Sequence, residues 1–107
     1  MAEAESIEIS VAELAGRAES GEAQIVDVRT DKEWAEGRIT GSRHIELNDV
    51  STAAESFDRG APIIFVCSAG NRSSMAAEAF RTAGFEAYSL AGGLEQWTAG
   101  GHGLESE

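Results

Sequence analysis

The 107-residue chain carries one cysteine, one proline and, among its 8 cationic side chains, one lysine, Lys32. A lone cysteine, Cys67, forms no intramolecular disulfide. It also leaves neither a Cys-x-x-Cys redox pair nor a cysteine-rich zinc site. The two histidines, His44 and His102, have no ligand spacing to each other or to Cys67, so no metal is expected, and no cofactor. No run of about 18 apolar residues occurs, which excludes a membrane-spanning helix. The opening Met1-Ala2-Glu3-Ala4-Glu5 is acidic and lacks the basic-then-apolar order of a secretory signal, so a cytoplasmic setting is expected. Positive charge is scarce: 19 carboxylates bring the formal net charge to −11. That charge repels nucleic acid phosphates and anionic membrane surfaces, so neither is an expected partner. It fits both a salty cytoplasm and plain solubilisation.

What remains is ordinary for a globular domain, with 42% hydrophobic and 25% charged residues. The length suits one domain and is too short for two. Short β-like runs alternate with helical patterns. Ile7-Glu8-Ile9 reads as a first strand. Ser10 and Glu13 have capping-box spacing, and Val11, Leu14, Ala15 and Ala18 form one apolar helical face that Gly21 ends. Gln24–Val28 reads as a buried strand. Thr30 and Glu33 repeat the capping-box spacing for a short helix ending at Gly37, with Trp34 anchoring it into the core. Arg43–Leu47 alternates like a strand, Asn48–Phe57 is predicted helical, and Asp58-Arg59-Gly60 is a turn. Ile63–Val66 is the most apolar run, as expected of a parallel strand buried on both faces. A helix is predicted from Ser73, with Ala76, Ala79, Phe80 and Ala83 on one face and Gly84 as its stop. Phe85–Leu90 forms the last strand, and Gly92-Gly93 leads into a helix around Trp97. Residues 100–107 are expected to fray. Strict alternation implies an α/β domain with a mostly parallel sheet. Trp97, Phe65 and Phe80 are core candidates with Trp34. Asp27 and Arg29 read as an ion pair or capping network past a strand end.

In open α/β sheets, sites form at the carboxyl ends of strands. The strongest strand ends at Val66, and Cys67 follows, then Ser68, Ala69, Gly70, Asn71, Arg72 and Ser73. Several amides at a helix start have no intrahelical acceptor, and the helix dipole adds partial positive charge there. Both favour a thiolate at Cys67. Small residues let the loop curl its amides around the sulfur, Gly70 can take positive φ, and Arg72 can face an anionic substrate. By residue type alone, a lone cysteine after an apolar strand is more often an inert core residue. The loop composition and helix start bring the reactive reading level with it.

Residues 67–73, Cys-Ser-Ala-Gly-Asn-Arg-Ser, closely resemble the active-site loop of single-domain rhodaneses, the thiosulfate sulfurtransferase family. Ile25-Val26-Asp27-Val28-Arg29, then Glu33-Trp34, Gly37, Ile39 and Gly41, resemble a second family segment. Leu90-Ala91-Gly92-Gly93 with Trp97 resembles a third. The similarity runs in family order through most of residues 7–103. It implies a single rhodanese-like domain over 1–107, a three-layer α/β fold with a mostly parallel central sheet and helices on both faces. It further implies that Cys67 takes sulfur from a small anionic donor such as thiosulfate, becomes a persulfide, and passes the sulfur to cyanide or a thiol. Ser68, Ala69, Gly70, Asn71, Arg72 and Ser73 would then form the substrate cradle, with Arg72 on the donor's sulfonate. Arg38 stands where the family commonly has histidine, Thr40 where it has proline, and Ser68 where some members are bulky or basic.

Three other readings compete. A Cys-dependent phosphatase or arsenate reductase resembles this loop but places five residues between Cys and Arg. Four lie here, which makes a smaller cradle, and the loop offers no acidic general acid. A non-catalytic rhodanese-like module often lacks the cysteine. A sulfur-relay carrier would keep Cys67 and deliver sulfur to an acceptor protein. Charge yields a prediction for the enzyme reading. A dianionic donor approaches a strongly acidic protein, with local positive potential only from loop amides, Arg72 and a second candidate, Arg43. The KM for thiosulfate should be weak at low salt and fall as ionic strength rises, in initial-rate assays across a salt series. A tight, salt-insensitive KM contradicts this.

Overall fold

A computed structural model describes residues 6–21 and 23–106. The acidic start, residues 1–5, lies outside the described residues, as do Glu22 and Glu107. Five parallel strands, β1 (Glu8–Ile9), β2 (Gln24–Asp27), β3 (Arg43–His44), β4 (Ile63–Val66) and β5 (Ala87–Leu90), form one sheet in the order β1-β5-β4-β2-β3. The helices are α1 (Val11–Ser20), α2 (Asp31–Glu36), α3 (Leu47–Val50), α4 (Asn71–Thr82) and α5 (Gly93–Ala99), with a 3-10 turn at Ala54–Ser56.

The central strand β4 sends alternate side chains into two cores. Ile63 and Phe65 join Val26, Val50, Ala76, Ala77 and Phe80, under α3 and α4. Ile64 and Val66 join Ile25, Leu14, Leu90, Leu94 and Trp97, under α1 and α5. All four residues of β4 are fully buried, as its unbroken apolar run requires. The alternation carries on past the strand, so Cys67 emerges on the α4 face. Phe80 is the hub of that face, with ring centroids 5.5, 5.0 and 5.0 Å from Phe57, Phe65 and Phe85.

Local signals set most boundaries. Ser10 Oγ accepts from the Glu13 amide at 3.1 Å, and Gly21 ends α1 in the left-handed region. Thr30 and Glu33 form the complete capping box of α2.

Five expectations need correction. Strand β3 covers only Arg43–His44, because Glu46 already caps α3, although the Ile45 and Leu47 amides still bond to Asp27 and Val28 carbonyls. The predicted 48–57 helix is broken into α3, a turn and the 3-10 turn. The Thr52 and Ser56 hydroxyls donate to carbonyls three residues back, and such side chains compete with a continuous helix. Helix α4 begins at Asn71 and buries Ser73, Ala76, Ala77 and Phe80, leaving Ala79 and Ala83 exposed. A serine at the first inward position concealed that phase. Trp34 is half-buried, stacked on the His44 ring at 4.7 Å and lying under the Arg38 guanidinium, so it covers an edge instead of anchoring a core. The C-terminal segment is pinned: Arg38 and Glu105 exchange backbone hydrogen bonds of 2.9 and 2.8 Å, and His102 stacks on Trp97. Arg38, at a position where the resembled family commonly has histidine, also donates to the Trp34 carbonyl.

The Asp27–Arg29 pair is a structural clamp. Asp27 is 0% and Arg29 6% exposed. The guanidinium donates to both carboxylate oxygens, with contacts of 2.9 and 2.8 Å, and also to the Gly37 carbonyl. It thereby ties the β2 end to the α2 exit. Asp27→Ala leaves a buried guanidinium without its counter-ion and should destabilise the fold by about 3–5 kcal/mol. A lowered urea midpoint at unchanged slope would report it.

Candidate active site

The site is built where β4 ends and α4 begins. Cys67 is 1% exposed. Its Sγ accepts the Gly70 amide at 3.1 Å and the Ser73 amide at 3.3 Å, and Ser73 Oγ lies 3.4 Å away. The cysteine thus sits at the edge of the apolar core, yet its sulfur faces polar donors. Gly70, with φ 107°, makes the turn that aims its own amide inward.

The expected cradle residues divide by role. Gly70 and Ser73 meet the sulfur directly. Asn71 and Arg72 are the first residues of α4, where amides have no intrahelical acceptor. Ser68 and Arg72 turn their side chains to Glu33. Arg72 Nη1 and Nη2 donate to the two Glu33 oxygens at 2.8 and 3.0 Å, and Ser68 Oγ donates to Glu33 at 3.2 Å. Ala69 completes the curl as a small residue. Arg43 points elsewhere: it donates to Ser56 Oγ and lies over the Phe57 ring.

Glu33 is the residue that sequence reasoning read as a helix cap and as part of a family-like segment, without a task at the loop. Hydrogen bonding from Arg72, then from the Thr30 amide, holds its carboxyl well below the ordinary carboxylate range. The same pair raises Arg72 above the ordinary arginine value. The Glu33 charge fixes the arginine that closes the loop, and a glutamate in a capping box gives no sequence sign of that second task.

The glycine pair was legible as a motif, but its mechanical role was not. The α5 amides of Leu94 and Glu95 donate to the Cys67 and Ser68 carbonyls at 2.8 and 3.0 Å. Gly93 has φ 64°, and a Cβ there would come within 2.5 Å of both carbonyl oxygens. The loop backbone therefore rests directly on the N-terminus of α5, and only glycine permits that approach. Ser89, fully buried on β5, is a further missed residue: its Oγ is 2.7 Å from Ser73 Oγ.

A cavity of about 150 Å³ beside the loop is lined by Val28, Thr30, Glu46, Leu47, Asn48 and Arg72. A larger one, about 350 Å³, lies against α1, Trp97 and the C-terminal segment, and Cys67 is not among its lining residues. Among the described residues, Asp31, His44 and Glu46 come together at the surface. Two of them already have hydrogen-bonding tasks: Glu46 accepts the Asp31 amide, and His44 Nε2 donates to the Arg29 carbonyl. No helix of the described residues is long and apolar enough to cross a membrane.

Comparison with known proteins agrees with this fold. A family model described as the rhodanese-like domain matches residues 10–100. The thiosulfate sulfurtransferase GlpE of Pseudomonas aeruginosa is 45% identical over 76 residues, covering 70% of this chain and 69% of that protein. The putative sulfurtransferase YtwF of Bacillus subtilis is 34% identical over 91 residues, covering 84% and 88%. The crystal structure of a rhodanese-like domain protein from Staphylococcus aureus superposes with a TM-score of 0.82 at 34% identity, covering 94% of this chain and 97% of that one.

The Glu33–Arg72 pair is testable by pH. A carboxyl lowered in the folded state contributes stability that is fully present above its ordinary value of about 4.5 and fades as pH falls toward the lowered one. Both partners are about one-third exposed, so solvent screening limits the effect. Glu33→Gln should cost about 1 kcal/mol at pH 7. The gap to wild type should hold down to pH near 5 and close in stronger acid, in urea titrations across pH.

Proposed function

The chain belongs to the rhodanese-like domain family, and from that premise we propose that it is a sulfurtransferase working through a persulfide on Cys67. The observation that carries the proposal is the environment of Sγ, which receives two backbone amides at 3.1 and 3.3 Å in a loop held from behind by α5. Fixed amide dipoles aimed at the sulfur stabilise negative charge that develops there during turnover.

The first displacement is attack of the Cys67 thiolate on the outer sulfur of thiosulfate or a similar donor. A bond forms between Sγ and that sulfur, the donor's S–S bond breaks, and sulfite leaves with the electron pair. Negative charge then sits on the outer sulfur, one bond further out. The Asn71 and Arg72 amides, at the open end of α4, are the donors left for it. In the second displacement cyanide or a thiol attacks the outer sulfur, and the bonding pair returns to Sγ. Arg72 steers the donor's sulfonate with those N–H groups that Glu33 leaves unused, from its place on the 150 Å³ cavity. Ser68, Ala69, Gly70 and Ser73 complete the cradle. A partner protein's thiol can serve as acceptor by the same second step, and the proposed setting is the reducing cytoplasm.

The short span from Cys67 to Arg72 supports sulfur chemistry over phosphoryl transfer, since the cradle closes around a single atom. Incubation with thiosulfate alone should add one sulfur atom to the intact mass, and thiosulfate with cyanide should yield thiocyanate. Cys67→Ser should abolish both. Thiocyanate formed by the serine variant at the wild-type rate removes Cys67 from the mechanism, and aryl phosphate hydrolysis at a comparable rate restores the phosphatase reading.

A further inference from the structure

Behind the sulfur lies a row of hydroxyls that the mechanism above does not use. Ser73 Oγ is 3.4 Å from Cys67 Sγ, 3.2 Å from the Gly70 carbonyl oxygen and 2.7 Å from Ser89 Oγ. Ser74 Oγ in turn donates to Ser89 Oγ at 3.4 Å. Ser73 and Ser89 are both fully buried, and Ser74 is half-buried on the outer side of the row. A hydroxyl has one proton and two lone pairs, so each member can donate to only one neighbour at a time.

We propose that Ser89 and Ser74 are positioning residues that orient the Ser73 hydroxyl toward Cys67 whenever its sulfur carries charge. This rests on the sulfurtransferase reading for its use in turnover, and on geometry alone for its existence. When Sγ is a thiolate, Ser74 donates to Ser89, Ser89 to Ser73, and Ser73 to the sulfur. All three protons point one way, and every bond in the row is strengthened by the anion at its end. When Sγ bears a proton or a second sulfur, the anionic acceptor is gone from that atom. The Ser73 proton then turns to the Gly70 carbonyl. Only O–H rotations separate the two states, and no covalent bond changes.

The row therefore treats the two displacements differently. Loading starts from a thiolate and moves charge away from Sγ, so the row stabilises the starting state. Unloading returns the electron pair to Sγ as the S–S bond breaks, so the row stabilises the charge that develops. An interaction stronger in the transition state than in the ground state accelerates that step. Ser89 should favour release of sulfur over its capture.

The test is Ser89→Ala, which removes one hydroxyl and leaves Ser73 the Gly70 carbonyl as acceptor, so no buried donor is orphaned. Alkylation of the cysteine by iodoacetamide across pH needs no sulfur donor. The variant should alkylate about fivefold more slowly on the acid limb, the effect of one net hydrogen bond. Its profile should move to higher pH and reach or exceed the wild-type rate on the alkaline plateau. Uniform slowing at all pH values marks a merely structural residue and overturns the proposal, as does an unchanged profile. Ser74→Ala, at the half-buried end, should shift the profile in the same direction by about twofold and serves should Ser89→Ala fold poorly. Rapid-quench intact mass measurements then separate the displacements. Transfer of the outer sulfur to cyanide should slow about fivefold in Ser89→Ala, and loading per thiolate by less than twofold. Equal slowing of both overturns the preference for release. Wild-type protein that gains no sulfur from thiosulfate counts against the function proposed above, and the alkylation profile still decides the hydroxyl row.

Discussion

The site depends on which way two peptide carbonyls face. The Cys67 and Ser68 oxygens are taken by the first amides of α5, and the absence of a side chain at Gly93 makes that contact possible. With those carbonyls turned outward, the following peptides can turn their N–H groups toward the sulfur, as Gly70 and Ser73 do. One helix end binds the back of the loop and another helix begins from its front. The nest for an anion is thus a product of two helix termini meeting at the carboxyl edge of a parallel sheet. The Ser73–Ser89 contact and the Glu33–Arg72 pair secure the same loop from the β5 and α2 sides.

Much of this was visible in the sequence wherever a signal is local. Caps at Ser10 and Thr30, the apolar run of β4 and the glycine stops are short-range chemistry, and the structure places them at or next to the residues named. Errors came where local and tertiary preferences diverge. The inward face of α4 includes a serine because the position contacts a sulfur instead of a hydrocarbon core, and a search for apolar periodicity passes over it. The helix expected across 48–57 has the right apolar spacing, and Leu47, Val50, Ala53, Ala54 and Phe57 do pack on one core. Hydroxyls competing for backbone carbonyls divide the segment into turns all the same. The C-terminal glycines suggested fraying, and the distant partners Arg38, Thr40 and Trp97 explain why the segment is held.

The candidate site was legible for the residues that touch sulfur and opaque for those that hold them. Cys67, Gly70 and Ser73 fall within seven consecutive residues, so a motif captures them. Glu33, Ser89 and the α5 amides come from three other elements and meet the loop only after folding. Electrostatics show the same division. Net charge −11 is a property of composition, but the positive end of Arg72 is largely spent on Glu33, which only coordinates reveal. The local attraction for an anion therefore falls mainly to backbone dipoles, which no substitution of a charged side chain removes.

The near-complete burial of Cys67 acts as a filter on girth. On the proposed reading, an atom that carries no substituent besides its leaving group best reaches a sulfur recessed behind its own loop. Terminal sulfurs meet that demand most easily, whereas each sulfur of an ordinary disulfide carries a carbon chain besides its leaving group and fits less well. The same recess would then slow exchange of the thiol with disulfides. Selectivity against such traffic is then a matter of clearance, independent of how reactive the sulfur has been made.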